Sequence, residues 1–530
     1  MEQVSSDTAI MQYIENRNNE SFDEVIQKDN RWDIFYHLSE MRKALFSWYD
    51  FKEQNSILEL GGGFGALTGL FCDKCRSVVT IEKNALRAEA IRKRYSERKN
   101  LRVLCEDILT WKNEEKFDYI IAVGILETIC NGSRDNTDYI QVIERVKDWL
   151  APQGKLLIAV ENRFGIRYWC GAVEKHTRKP YGGINNYPLG SQGISFDREQ
   201  IKHIVKEAGL YQIKFFYPLP DYILPQVIYS QEYLPKSSVK ERVIPYYMDN
   251  RYLNAYENDL YDDIVNNSAF EFMSNSFLIE GSVKADRSSI LYAALTTDRG
   301  MENGFATMIR NDHIVEKRAL YQKGKEGLRR IWSNMRDLEK RGLHCIQMEW
   351  KNESLWMPFV QEHTLCDDLR QLLKQGSREF EQIIQRLFSC ILQSSEQLPV
   401  TENRLKCLKE YEEELGVILK RAYIDMVPMN CFYVDDDFYF FDQEFIKECF
   451  PAKYVWYRVL KYTYFFMPEA EKQLPLENMK KIYGLSRIWQ CFEEEESRFV
   501  AENRNYDRYQ HFRKWAAVNK NDLYSRYVGK

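Results

Sequence analysis

Two groups of residues in this chain of 530 have types and spacing suited to chemistry. The first begins at Ser56-Ile-Leu-Glu59-Leu-Gly61-Gly-Gly63-Phe-Gly65, an apolar strand running into a glycine turn and then a helix. Glycine lets backbone approach a ligand closely, and a turn that opens a helix points free N–H groups at it. The next strand, Ser77-Val-Val-Thr-Ile, ends in Glu82, an acid placed to accept hydrogen bonds from both hydroxyls of a ribose. After Leu101-Arg-Val-Leu-Cys comes Glu106-Asp107, where a carboxylate can take the amino hydrogens of an adenine. The glycine pattern alone leaves dinucleotide and S-adenosylmethionine sites both open. The second group is Asp425, Asn430 and Asp442, an amide five residues after one acid and twelve before another, with two strand-like runs between. The conspicuous triplet Asp435-Asp-Asp437 reads as a solvated hairpin tip, whereas the three outer positions fit a two-strand metal clamp.

The elements that must position these residues follow from pattern. Residues 1–50 read as a helical cap, with apolar positions recurring at three and four through Trp32-Asp-Ile-Phe-Tyr-His-Leu. From 51 to 235, short apolar strands alternate with amphipathic helices, the signature of a mostly parallel sheet. Residues 236–284, rich in Asn, Asp and Tyr, read as a connecting segment. From 285 to 475, strands come first and helices after, an α+β pattern, and 476–530 read as C-terminal helices with Glu493-Glu-Glu-Glu496 on a solvated face. Composition agrees with packed domains: 44% hydrophobic and 14% aromatic residues suffice for sizeable cores. A net charge of -5 argues against a nucleic-acid partner held by a strongly basic surface. Twelve cysteines are scattered, and Cys72-Asp-Lys-Cys75 has no second pair at zinc spacing, so reduced thiols are expected. No run of about 18 apolar residues appears and the N-terminus lacks a leader pattern. The expectation is a cytoplasmic protein, brought to the inner face of a membrane only through partners.

The ordered series Glu59, Gly61, Gly63, Gly65, Glu82, Asp107, Phe117-Asp-Tyr-Ile-Ile-Ala-Val-Gly-Ile-Leu-Glu127 and Leu150-Ala-Pro-Gln-Gly-Lys-Leu-Leu-Ile-Ala-Val-Glu161 resembles the class I S-adenosylmethionine-dependent methyltransferases. The resemblance implies a Rossmann-like α/β domain in which those first six residues contact the cofactor, joined by Arg42 from the preceding helix. Methyl transfer is an in-line displacement that depends on holding the acceptor in a near-attack geometry. A sugar hydroxyl as acceptor needs a base, and the segment from Glu161 to His176 supplies two candidates, His176 ahead of Glu161. Arg163, Arg167, Tyr168 and Trp169 in the same segment suit a sugar or phosphosugar.

Asp425, Asn430 and Asp442 match the spacing of protein-kinase-like phosphotransferases, and residues 285–475 resemble the aminoglycoside-phosphotransferase-like branch of that superfamily. The resemblance implies Asp425 as the acid that orients the attacking hydroxyl, Asn430 and Asp442 as Mg²⁺ ligands, and Lys317 on ATP phosphates, with Glu326 and Glu339 as alternative partners for the lysine. Adenine would lie along Trp356-Met-Pro-Phe-Val-Gln-Glu362. Three departures stand out: Tyr423 where many such enzymes have His, Gln443-Glu444 after the metal acid, and no glycine-rich loop before Lys317. A methyltransferase followed by a kinase-like domain resembles the bifunctional methyltransferase-kinases of bacterial surface polysaccharide synthesis. That implies a glycan or glycolipid acceptor, glycosyltransferase partners, and either an active or an inactive kinase-like domain. Two other classes remain open, a dinucleotide-dependent oxidoreductase and a non-catalytic assembly protein.

Overall fold

Predominantly apolar strands of four to twelve residues carry the glycine turn: β1 (Ser56–Leu60), β2 (Ser77–Ile81), β3 (Leu101–Leu104), β4 (Phe117–Val123) and β5 (Leu150–Glu161). In this computed structural model, which describes residues 5–16, 21–236, 239–375, 377–406, 409–504 and 510–525, these five strands are parallel neighbours in the order β3-β2-β1-β4-β5. Their near-continuous hydrophobicity is what a parallel strand covered on both faces requires. Glu59 is the buried charged residue in β1, opposite Thr80 and Ile121 in register.

The chain divides into two compact units, Met1–Asp298 with Ala306–Asp312 and Tyr506–Lys530, and Arg299–Phe305 with His313–Asn505. In the first, the sheet continues from β5 through antiparallel strands: β6 (Gln212–Leu219), β7 (Val227–Ser230), β8 (Ser276–Ser282), β9 (Ile290–Leu295) and β10 (Phe305–Arg310). Strand β8 lies between β5 and β6.

This corrects the division expected from sequence in three places. Residues 236–284 are not a connector, because β8 is an interior strand, buried at all seven positions. The polar richness of that segment belongs to a buried network in which Tyr247, Tyr261 and Asn275 all donate to Glu257. Strands β9 and β10 also extend the first sheet rather than open the second unit. Finally, the helices Gln510–Ala516 and Lys520–Ser525 pack on the first unit: the Tyr247 N–H donates to the Trp515 carbonyl, and Trp515 meets Trp32 and Phe35 edge-on.

The second unit contains β11 (Ile314–Ala319), β12 (His344–Cys345), β13 (Glu349–Lys351), β14 (Ser354–Pro358), β15 (Gln397–Leu398), β16 (Ile418–Tyr423), β17 (Cys431–Val434), β18 (Asp437–Phe440) and β19 (Ile446–Pro451). They form three small groups, β13-β14-β11, β12-β18-β17 and β15-β16-β19. Asp435 and Asp436 both have positive φ, 50° and 64°, between β17 and β18. That backbone is the two-residue hairpin turn in which Asp and Asn are tolerated, so the acid triplet is explained by the turn. The helix Ala452–Phe466 buries Tyr454, Tyr457, Arg458 and Leu460 in the core of this unit. Among the described residues no helix is long and apolar enough to cross a membrane.

Candidate functional site

The turn after β1 carries Gly61 and Gly63 at φ of +72° and +57°, a region that a residue with a Cβ enters only at a cost. With it, Tyr36, His37 and Arg42 from the N-terminal helices, Glu59 of β1, and Ile121 and Val123 of β4 line one cavity. A Cβ on Gly63 would stand 3.7 Å from the His37 ring, filling space that the glycine leaves open. Glu82, just past β2, accepts hydrogen bonds from the Gly63 N–H at 2.8 Å and the Asn84 N–H at 2.9 Å, which fixes the acid against the turn. Arg42 donates to the Ile223 carbonyl at 2.6 Å and lies over the Tyr36 ring, while its buried Nε has no hydrogen-bond partner. Burial, reinforced by Arg87, Arg42 and Arg94, pushes His37 down to about 3 and keeps the imidazole neutral. Burial likewise pushes the Glu59 carboxyl up to about 7, although the hydroxyls of Thr68 and Thr80 both donate to it.

Thus Arg42, Glu59, Gly61 and Gly63 are brought together around one space, with Glu82 bonded to its rim. Gly65 is set back from it, packed against Tyr95, whose hydroxyl donates to the Gly65 carbonyl. Asp107 stands beyond β3, 2.7 Å from Lys83 and accepting from the Leu109 N–H; the Lys83 hydrogen bond holds its carboxyl below the usual range.

A second polar cluster forms where β4 and β5 end. Glu127 is fully buried; it accepts from the Glu161 N–H at 2.6 Å and from Lys175 Nζ at 2.8 Å, and His176 Nε2 lies 3.5 Å away. Burial alone would raise the Glu127 carboxyl, but Lys175 and His176 reverse this and hold it well below the ordinary range. Lys175 also donates to the Tyr222 hydroxyl at 2.9 Å. A Cβ on Gly124, the residue after β4, would stand 2.8 Å from that hydroxyl and 3.6 Å from Lys175 Nζ.

The two candidate bases are both turned inward, contrary to the expectation that one faces an acceptor. The Glu161 carboxylate accepts the Tyr168 hydroxyl, and burial raises its pKa. The His176 side chain is 6% exposed, its Nε2 facing Glu127 without a well-aligned hydrogen bond. Arg167 pairs with Asp221 at 2.6 Å and Arg163 with Asp197 at 3.0 Å. Trp169, 45% exposed, stacks near Phe164, which in turn stacks on Phe272.

In the second unit Lys317 pairs with Asp442, and neither Glu326 nor Glu339 is its partner; Glu339 accepts instead from Gln347. Asn430 donates its amide to the Asp425 carbonyl at 3.2 Å, and the Asn430 carbonyl accepts from the N–H of Phe441, which precedes Asp442. Asp425 is not free to orient a hydroxyl. Its Oδ2 accepts from the Glu444 and Phe445 N–H groups at 3.1 and 2.7 Å, and its Oδ1 lies 3.2 Å from Arg458. Arg458 in turn binds Glu496 at 3.0 Å, so Glu496 is buried rather than on a solvated face. Glu444, paired with Arg299 at 2.8 Å, is pushed up to about 7 by burial.

Residues 32–214 match the family model described as a methyltransferase domain. This segment is a class I S-adenosylmethionine-dependent methyltransferase domain. Over 111 residues, 20% of this chain, it is 28% identical to (S)-coclaurine N-methyltransferase of Papaver somniferum; the chain spans about 30% of the length of that curated relative. Among solved structures, N-methyltransferase NodS from Bradyrhizobium japonicum WM9 in complex with S-adenosyl-L-homocysteine is 23% identical, with a TM-score of 0.22 over 30% of this chain and 77% of that one. Haemonchus contortus phosphoethanolamine N-methyltransferase 1 is 10% identical, with a TM-score of 0.30 over 54% of this chain and 52% of that one.

In the methyltransferase domain, reasoning from sequence passed over Tyr36, His37, Glu127, Lys175 and Tyr222. Tyr36 and His37 precede Arg42 by six and five residues, and helical spacing on that apolar stretch was the only available signal. Glu127, Lys175 and Tyr222 meet across separations of about fifty residues, which no local pattern announces.

Proposed function

We propose that the first unit transfers a methyl group from S-adenosylmethionine to a glycan or glycolipid acceptor of surface polysaccharide synthesis, and that the second unit holds the acceptor or a glycosyltransferase partner without transferring phosphate. The observation that carries the first half is the cavity between the Gly61–Gly63 turn, Arg42 and Glu82. The unpartnered Arg42 Nε suits a carboxylate, the space over Gly63 suits a ligand lying on bare backbone, and Glu82 suits ribose hydroxyls. These residues therefore fit the cofactor, which supplies an electrophilic methyl on a sulfonium. Asp107 would lie towards its adenine. Arg42 and Glu82 orient, while half-buried Tyr36 and neutral His37 exclude water from one wall.

The Phe164, Trp169 and Phe272 stack, with Arg163 4.2 Å over the Phe164 ring, supports a glycan acceptor, since exposed aromatic faces pack against the C–H face of a sugar ring. Replacing Trp169 by alanine should raise KM for such an acceptor several-fold with little change in kcat. The test of the acceptor class is transfer of isotopically labelled methyl groups into cell extract separated into lipid-linked glycan, protein and small amines. Label confined to amines or protein would overturn the glycan reading.

Glu82→Ala should weaken S-adenosylhomocysteine binding at least about tenfold, because hydrogen bonds to a charged group contribute roughly 1.5–3 kcal/mol each. Calorimetry checks this, and tight NADH binding with none of S-adenosylhomocysteine would favour the oxidoreductase class instead. Full rescue of a deletion phenotype by the Glu82→Ala chain would favour the assembly-protein class.

The sealed carboxylate of Asp425 favours an inactive second unit over an active kinase. Asn430 and Asp442 remain as a residual pair to which Mg²⁺ and ATP would bind weakly, with Lys317 beside them. Incubation with ATP and Mg²⁺ should give no phosphorylated glycan; a transfer that disappears in Asp425→Asn would restore the active reading.

A further inference from the structure

The acceptor end of the methyltransferase domain contains a cation where a base was expected. Lys175 is the one member of the cluster with substantial access, its side chain 30% exposed, against 6% for His176 and none for Glu127 or Tyr222. An ammonium has three N–H donors. Two are used, on Glu127 and Tyr222, leaving the third. Tyr222 is fully buried and its hydroxyl accepts from Lys175, which holds the ammonium in place. Both groups abut Gly124, next to Val123 of the cofactor cavity wall, and the neighbouring Ile125 side chain would meet a Cβ on Gly61 at 3.0 Å.

Lys175 does not act as a base. Burial is the largest single influence and would favour its neutral form, but Glu127, Tyr222, Glu161 and Tyr36 together outweigh it, and the pKa is raised. Of the groups around it, Glu161 is engaged by Tyr168, and His176 is packed so closely against Gly193 that a Cβ there would be 2.5 Å from Nδ1.

Resting on the methyl-transfer reading above, we propose that Lys175, positioned by Tyr222, selects an acceptor oxygen that is already anionic, a carboxylate or a phosphate ester, and orients it without a general base. An oxyanion uses its own lone pair to form the new O–C bond, the C–S bond breaks with its electron pair kept by sulfur, and the acceptor loses one negative charge as the sulfonium loses its positive charge, giving a methyl ester and a thioether. No proton moves. An amine is disfavoured twice at this position: its protonated form is repelled by Lys175, and its methylated product must shed a proton beside a fixed cation.

The test uses the full chain saturated with S-adenosylhomocysteine, whose binding is first measured by calorimetry in wild type, Lys175→Met, Lys175→Arg and Tyr222→Phe. Sodium acetate, sodium phosphate and ethylammonium chloride, at matched ionic strength, are then scored by thermal shift of the complex. Acetate or phosphate should raise the melting temperature of the wild type, the stronger of the two identifying the acceptor class. Ethylammonium should do nothing. Lys175→Met should abolish the shift, and Lys175→Arg should keep part of it. Tyr222→Phe, which leaves the Lys175–Glu127 pair in place, should reduce it and guards against a Lys175→Met chain that fails to fold. Failure of the wild type to bind S-adenosylhomocysteine would bring down the methyl-transfer reading itself. Normal binding of it with no anion shift, a shift equal in wild type and variants, or stabilisation by ethylammonium would overturn the present proposal alone.

Discussion

Replacing Arg458 by methionine is expected to destabilise the second unit by about 3–5 kcal/mol, the cost of removing one partner from a buried ionic cluster. The side chain is 8% exposed and joins two buried carboxylates, Asp425 through its terminal nitrogen and Glu496 through Nε, while also donating to the Ile424 carbonyl. Glu496 is further held by the hydroxyls of Tyr454 and Tyr462, each at 2.6 Å. Methionine fills much of the volume but leaves both acids without a cation, and they must then take up protons or draw in water. Hydrogen exchange at β16 and in the helix Ala452–Phe466 is the measurement that localises the loss. A stability change under about 1 kcal/mol would mean that Asp425 tolerates the absence of its cation, and would reopen it as a solvent-accessible acid. The conservative change Arg458→Lys should retain only part of the stability, because a single ammonium does not reproduce the spread of guanidinium donors over two carboxylates.

The contrast between Asp425 and the glycine turn shows which parts of this protein its sequence reveals. β1 to β5 were legible because a parallel strand must be apolar throughout, and a strand that ends in glycines and is followed by further strands ending in acids carries its order with it. β8 was not, because it joins the same sheet from the far side of a polar segment, and its place between β5 and β6 depends on pairings 115 to 125 residues apart with β5 and 62 to 70 apart with β6. The cavity residues Arg42, Glu59, Gly61 and Gly63 lie on elements close in sequence, so they were found together. Lys175 and Tyr222 reach Glu127 only after the sheet is assembled. Asp425 failed for a related reason: spacing to Asn430 and Asp442 describes a hairpin, but contains nothing about Arg458, 33 residues downstream, which occupies the acid. Glu496 was likewise hidden in a run of four glutamates, where only tertiary packing decides which one is buried.

Glu59→Gln should make the first unit more stable than the wild type at pH 8 by about 3 kcal/mol and leave it nearly unchanged at pH 4.5. The sign follows from linkage. The Glu59 carboxyl lies at about 7 in the folded chain against an ordinary 4.5, chiefly through burial. Between those values the folded state holds a proton that the unfolded state has released, so this group's contribution to stability falls as pH rises from 4.5 and is fully lost above 7. A difference of about 2.5 pKa units corresponds to roughly 3 kcal/mol at 1.36 kcal/mol each. Glutamine carries no charge to desolvate, and its amide oxygen can still accept from Thr68 and Thr80, which lie at 2.6 and 2.8 Å from the native carboxylate. Urea denaturation of both chains at pH 4.5, 6 and 8 reads the divergence directly. Parallel pH profiles would show that Glu59 ionises as freely in the fold as out of it. A carboxylate that costs stability in a cavity wall also fits the charge of the proposed ligand: ionised Glu59 favours a cation nearby. The same substitution should therefore weaken binding of cationic S-adenosylmethionine more than binding of its uncharged-sulfur product, an attraction from a buried carboxylate that salt screens only weakly.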